Sequence, residues 1–244
     1  MPHRKTFALT ALALFVLAAS APAKVVGSGR LATDTRPAAG AHGVELAAIG
    51  ELTIVQAAGG SEELVVEAED NLLPLIETSV GADGVLLIKF HGSDIRPTKD
   101  IKYRLTVHTM DKITLSGSGD IRAARLSADR TALRLPGSGG IRIEHLETAD
   151  LSVALSGSGE VKLAGGKTTR QTVDLSGSGT FSAARFQSDA ANVSISGSGD
   201  AKVRARETLD VRIGGSGEVE YSGDPKLNQQ ITGSGSVSRH GSDD

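Results

Sequence analysis

The tripeptide Gly-Ser-Gly recurs through the second half of the chain at an almost fixed step. It starts at Gly117, Gly137, Gly157, Gly177 and Gly197, each 20 residues after the last, then at Gly215 and Gly233 at steps of 18. The closing glycines are Gly119, Gly139, Gly159, Gly179, Gly199, Gly217 and Gly235. An isolated copy begins at Gly27. Self-similarity at such a period marks a stacked repeat, in which each unit buries its apolar face only against its neighbours.

Alternating apolar residues flank each copy. Ile113/Leu115, Leu133/Leu135, Val153/Leu155 and Val173/Leu175 precede it, and Ile121/Ala123, Ile141/Ile143, Val161/Leu163 and Phe181/Ala183 follow. A period of two describes a strand with one buried face. Arg122, Arg142 and Lys162 lie between these residues, and Lys202 between the corresponding Ala201 and Val203, on the outward side. Each repeat therefore reads as strand, tight glycine turn, strand, and a polar return such as Ser127-Ala128-Asp129-Arg130.

An antiparallel meander could use this unit, with every Gly-Ser-Gly as a hairpin tip and edges that need covering. A parallel β-helix could use it too, with each repeat as one coil and like residues stacked about 4.8 Å apart. The near-constant step favours the coil, because an insertion in one coil would break the register of its neighbours. The expected fold is all-β: a right-handed, single-stranded parallel β-helix with coils of about 20 residues. The seven copies suggest about seven coils and a regular stack roughly 34 Å long. The glycines fit either a positive φ or the close packing of successive turns.

The remaining chain divides around this stack. Residues 1–23 read as a secretory signal peptide: His3-Arg4-Lys5, then 13 apolar or small residues from Phe7 to Ala19, then the small-x-small site Ala21-Pro22-Ala23. Residues 24–42 form an N-terminal lead-in strand. Residues 43–110 are a less regular part of the same domain, whose short apolar runs are separated by turns such as Gly59-Gly60 and Asp83-Gly84. Ile101 to Val107 alternates and is expected to lead into the first regular coil. The regular coils span 111–237, and 238–244 is a polar tail. The leader's apolar run falls short of the roughly 20 residues that a membrane-spanning helix needs, and no later segment is long enough to span.

Composition removes several function classes. The chain has no cysteine, so it has no disulfide, zinc-thiolate centre, thiol nucleophile or lipid-modified N-terminal Cys. Its net charge of −3, becoming −5 once Arg4 and Lys5 are removed with the leader, leaves no basic footprint for nucleic acid. Glycine fills 30 of 244 positions, above the usual share of about 7%, but without the strict period of collagen.

The Gly-Ser-Gly ladder, the segment Glu67-Ala68-Glu69-Asp70-Asn71-Leu72-Leu73-Pro74-Leu75-Ile76-Glu77-Thr78 and Ile95-Arg96-Pro97 before a strand together resemble the GIN domain family. These are exported bacterial proteins described as autotransporter adhesin heads. The resemblance runs over about residues 25–240, starting with Val25-Val26-Gly27-Ser28-Gly29. It implies a right-handed β-helix, no established catalytic site and a role in adhesion. No transmembrane barrel follows the coils, which places a periplasmic location beside display at the cell surface or secretion.

Candidate sites follow from stacking. The residues after each Gly-Ser-Gly include Asp120, Gly140, Glu160, Thr180, Asp200 and Glu218. Asp120 and Glu160 would stand two steps apart, roughly 9.6 Å, near the spacing of inverting glycosidase carboxylates. Asp200 and Glu218 would stand about 5 Å apart, the retaining spacing. Alternating acids with Gly or Thr also simply avoids stacking like charges, and this reading is preferred: no catalytic residue, metal ligand or cofactor is expected. Arg122, Arg142, Lys162 and Lys202 form a basic stripe beside the acids. The stripe is either a surface for an acidic envelope polysaccharide or a solvated row of ion pairs. The histidines outside the leader, His42, His91, His108, His145 and His240, show no metal-ligand spacing, and His145 falls in a return loop. The expected function is a non-catalytic, exported scaffold of the cell envelope that binds a polysaccharide or a surface protein.

Overall fold

The computed structural model describes residues 24–240 apart from Ser93. The signal-peptide reading of residues 1–23 and the last four residues of the tail lie outside it. The protein is nearly all β, with 65% of residues in strands that wind a parallel β-solenoid of about 6 turns. Seven Gly-Ser-Gly corners enclose six complete turns, which is why the coil count falls one short of the number of copies.

The N-terminal part contains β1 (Val25–Val26), β2 (Leu31–Pro37), β3 (Gly43–Leu46), β4 (Glu51–Gln56), β5 (Glu63–Glu69), a single 3-10 turn (Leu73–Leu75), β6 (Ile76–Val80), β7 (Val85–Phe90), β8 (Ile95–Arg96) and β9 (Lys102–Val107). The regular part contains β10 (Lys112–Leu115), β11 (Asp120–Leu135), β12 (Gly140–Leu155), β13 (Glu160–Leu163), β14 (Gly166–Leu175), β15 (Thr180–Ile195), β16 (Asp200–Ile213), β17 (Glu218–Ser222), β18 (Lys226–Ile231) and β19 (Ser236–Arg239). The lead-in is thus two strands, and β19 runs two residues into the segment read as a tail.

The return expected at Ser127-Ala128-Asp129-Arg130 is not a loop, although the strand is interrupted at Ala164-Gly165 and at Gly223-Asp224-Pro225 in later coils. Between one Gly-Ser-Gly and the next, β11 is continuous over 16 residues, and Arg125, Ser127 and Arg130 pair in register with His145, Glu147 and Asp150 of β12. What resembles a loop is a pair of bends. Alternation breaks where two exposed residues follow each other, at Ala124-Arg125 and at Asp129-Arg130, so the strand turns while remaining in the ladder. Each coil has three faces, with Gly-Ser-Gly at one corner. His145 accordingly sits in a strand.

The bend near residue 129 is fastened from inside. Thr148, Thr168 and Ser188 are buried at equivalent positions of successive coils. The Thr168 hydroxyl lies 3.0 Å from Ala149 O and 2.9 Å from Arg170 O, and the Ser188 hydroxyl donates to Arg204 O at 2.9 Å. These hydroxyls bond backbone groups that the bend would otherwise leave unpaired in the core.

The Gly-Ser-Gly corners need glycine for a different reason from a left-handed backbone. Among their 14 glycines only Gly233 has a positive φ, of 136°. A Cβ on Gly157 would instead stand 1.9 Å from Gly137 O, and one on Gly139 would stand 1.7 Å from Gly119 O. Successive corners pack backbone against backbone, so the repeat selects glycine by contact.

The interior is a set of apolar columns, such as Leu133–Val153–Val173–Val193–Val211, all fully buried. Volumes compensate along them. Gly166, with φ +116°, pairs with Phe186 of the following coil, and the large Phe181 pairs with Ala201. Filling a gap in one coil from the next keeps the packing at native density.

The N-terminal part departs from chain order. β3 pairs in parallel with both β7 and β10, and β4 with both β9 and β11. Residues 43–56 therefore form a coil between the one holding β7 and β9 and the first Gly-Ser-Gly coil. Ile101–Val107 leads in chain order into β10 of the first regular coil, while in space β9 stacks on β4, which lies between it and the regular coils. The intervening coil turns its corner with Ala48-Ile49-Gly50, and Asp120 N donates to Gly50 O at 2.9 Å. Beyond β7 and β9 the direction reverses: β6 runs antiparallel to β7, β5 to β9, and β2 to β5. These strands close the N-terminal end of the solenoid.

Candidate functional site

Stacking brings the sequence-derived candidates together on one face. Glu51, Asp120, Gly140, Glu160, Thr180, Asp200 and Glu218 fall in one column, each paired in register with the next. Arg122, Arg142, Lys162, Ser182, Lys202 and Glu220 fall in the column two residues away. The strands after the Gly-Ser-Gly corners position both rows, and the buried residue between them, such as Ile121 or Ile141, fixes the outward direction of each side chain.

Two acids of this face, Asp120 and Asp200, tie one coil to the next. Asp120 Oδ1 accepts the Gly140 N–H at 3.0 Å, and Asp200 Oδ1 accepts the Glu218 N–H at 3.1 Å. In both cases a carboxylate fastens the first strand residue of the next coil. Gly140 leaves a recess of about 140 Å³ bordered by Asp120, Arg122, Arg142, Glu160 and Lys162. A shallow groove crosses the corners beside it, past Ser118, Ser138 and Ser158. These serines are exposed. At the later corners the backbone does the bonding: Ser198 N and Ser216 N each donate to a glycine carbonyl of the preceding coil at 3.1 Å.

The basic stripe is largely paired. Arg122 reaches Glu51 at 3.3 Å, Arg142 reaches Glu144 at 2.5 Å and Lys202 reaches Glu220 at 2.6 Å. The hydrogen bond from Arg142 pulls the Glu144 carboxyl below its ordinary range, and Lys202 does the same to Glu220. The face therefore presents alternating charge rather than a positive strip.

The five histidines among the described residues are dispersed, each against a carboxylate: His42 with Asp111 at 3.1 Å, His91 with Glu77 at 2.8 Å, His108 with Glu62 at 3.4 Å, His145 with Glu147 at 3.2 Å, and His240 with Glu220. Among the described residues no group of three or more His, Asp or Glu side chains is arranged to hold a metal. No helix among them is long and apolar enough to cross a membrane.

One cluster escapes sequence reasoning altogether. The isolated copy at Gly27 is not a coil corner. It belongs to a strap in which β1 pairs with β8. The buried Glu69 carboxylate accepts Gly29 N at 2.6 Å, Thr98 N at 2.9 Å and the Thr98 hydroxyl at 2.6 Å. The Thr98 hydroxyl is the largest influence holding Glu69 below the usual carboxylate range. Ser28 donates its hydroxyl to Asp70 at 2.5 Å and its N–H to Asn71 at 2.9 Å. The one signal available was the copy's isolation from the 20-residue period.

A family model described as "Putative auto-transporter adhesin, head GIN domain" matches residues 44–225. Among solved structures, a "putative adhesin" from Bacteroides fragilis NCTC 9343 is 25% identical over 88% of this chain and 100% of its own, with a TM-score of 0.84. A second, from Parabacteroides merdae ATCC 43184, is 20% identical over 91% of this chain and 100% of its own, with a TM-score of 0.72. A "putative lipid binding protein" from Parabacteroides distasonis ATCC 8503 is 24% identical over 90% of this chain and 100% of its own, at 0.70. The latter two likenesses speak to the fold alone. No protein of curated function matches the sequence.

Proposed function

We propose that this chain, which belongs to the GIN-domain family of auto-transporter adhesin heads, is an exported, non-catalytic binding scaffold of the cell envelope. It adheres to an envelope polysaccharide or a surface protein, from the periplasm or the cell surface. The observation that carries this reading is the use made of the charges on the corner face. Glycoside cleavage needs one carboxyl to protonate the leaving oxygen and another to activate water or attack. Here Asp120 and Asp200 each commit an oxygen to the backbone of the next coil, and the neighbouring pair Asp200/Glu218 is joined by that same bond. The recess between Asp120 and Glu160 is open and shallow, without the exclusion of water that strengthens electrostatic catalysis. A rigid face repeating at about 4.8 Å is suited instead to binding through many weak, equally spaced contacts.

The test uses residues 24–244 against a panel of envelope polysaccharides and surface proteins, with release of reducing ends followed in parallel. The variant Asp120→Asn/Glu160→Gln/Asp200→Asn/Glu218→Gln is run beside it. Binding with no released ends, unchanged in kind by the four amides, is the expected result. Released ends that disappear in a folded amide variant would contradict the proposal. Binding to acidic polymers that weakens with salt would assign the contact to Arg122, Arg142 and Lys162.

A further inference from the structure

We propose that the C-terminal end of the solenoid is a self-association surface, on which a second copy of this chain seats by antiparallel pairing of the two last coils. The two ends of the stack differ in how they treat their edges. At the N-terminal end, β7 and β9 are covered by antiparallel β6 and β5, and β5 is covered in turn by β2. The strand β2 carries Asp34, Arg36 and Pro37, residues of the kind that discourage further pairing at an edge.

At the C-terminal end, β18 pairs with β16 and β19 with β17, and no other strand among the described residues covers them. The outward N–H and C=O groups of these strands form an open ladder. From Leu227 to Ser238 the last coil carries no charged residue, whereas the equivalent stretch of the coil before it carries Asp210, Arg212, Glu218 and Glu220. Ile231 is 39% exposed. Gln229 takes the place held by Val211, Val193 and Val173 in the inward column, and Asn228 and Gln230 flank it.

This chemistry selects the occupant. An amide side chain both donates and accepts, so Asn228 and Gln230 on one face of β18, and Gln229 on the other, each meet an amide when the strand is reversed, with Asn228 Nδ2 already donating to Asp210 Oδ1 at 3.0 Å. An open β edge is complementary to itself in the same way. Charge on this edge is confined to its two limits, Lys226 at the start of β18 and Arg239 at the end of β19, so a charged partner finds nothing to pair with along the stretch between them. A two-fold axis perpendicular to the solenoid axis, lying between the two last coils, reverses the second copy and makes the new ladder antiparallel, with every contact made twice. The opposite end offers no matching edge, since its outermost strands are β2, which carries Asp34, Arg36 and Pro37, and the short β6 that pairs only with β7, and the two-fold contact itself closes the association at a dimer.

Sedimentation velocity of residues 24–244 over a dilution series tests this. The wild type should sediment at twice the monomer mass and dissociate on dilution. Asn228→Lys/Gln230→Lys, at exposed edge positions, should run as a monomer with an unchanged melting curve, and Gln230→Lys alone serves if the double variant fails to fold. Thr33→Lys/Thr35→Lys on β2 should leave the dimer intact. The chain has no cysteine, so Gln229→Cys should give an oxidised cross-linked pair, whereas Thr35→Cys should not. A wild type that is monomeric at every concentration would overturn the proposal. So would a folded lysine variant that stays dimeric, or a dimer lost through the β2 lysines.

Discussion

In the coil stack a residue is surrounded by its own counterparts about twenty positions away, whereas in the N-terminal cap its partners are unlike residues 29 to 40 positions distant. Leu133 sits between Ile113 and Val153; Glu69 holds Gly29 and Thr98, and Arg36 donates to Leu73 O and Ile76 O. The stack rests chiefly on small, apolar and glycine residues in phase, because the backbone ladder supplies most of the bonds and side chains such as Asp120, Thr168 and Ser188 add theirs at repeated positions. The cap must reverse strand direction and close an end, and it does so with individually placed side chains. The cap is therefore the part that one lost hydrogen bond unfastens, and the stack is the part that one added atom breaks.

The sharpest way to break this comparison is to add atoms. Gly157→Val drives a branched side chain into Gly137 O and should cost about 3 kcal/mol or more in urea denaturation. Gly59→Val in the cap, where a Cβ meets nothing within 4 Å, should stay within about 0.5 kcal/mol. Equal losses would show that contact between corners does not govern the glycines.

Acid sharpens the comparison from the other side. Glu62, held down by the N–H groups of Gly40 and His108, and Glu69, held down chiefly by Thr98, have carboxyls below their ordinary range in the folded protein. Their stabilising effect is complete above the unfolded carboxylate pKa and is lost as pH falls through the lower folded value, that is, below about pH 4. The melting temperature should fall over that range, and Glu69→Gln should lower it already at neutral pH while blunting the further fall in acid. An acid response identical in wild type and Glu69→Gln would remove Glu69 from the account.

A smaller effect of opposite sign is expected inside the stack. Gln171 is buried with both amide atoms unpartnered, in a column that has Leu151 on one side and Ala191 on the other. Gln171→Leu should stabilise the protein by about 1 kcal/mol, read as a rise in denaturation midpoint at constant slope. The smallest effect belongs to the exposed charges: Arg122→Ala, which removes the pair with Glu51, should shift stability by less than about 1 kcal/mol.

The coils were legible because their signal is periodic. The seven corners, the inward apolar columns and the two charged rows all follow from a step of 20 or 18, and Asp120, Gly140 and Glu160 align as that step requires. The third face was not legible, because a strand that bends exposes two residues in succession and imitates a loop. The coil of residues 43–56 was hidden for two reasons. Its corner is Ala48-Ile49-Gly50, and it lies out of chain order, which no local pattern encodes. The role of Glu69 was beyond reach because its partners are 29 and 40 residues away and follow no period.

Native-state hydrogen exchange of residues 24–244, at neutral pH and again near pH 4, tests the division between cap and stack most directly. The account predicts that amides of residues 63–80 open first and lose protection on acidification, while those of 120–213 exchange only through global unfolding at both pH values. Loss of protection in 120–213 before, or together with, the cap at low pH would contradict it.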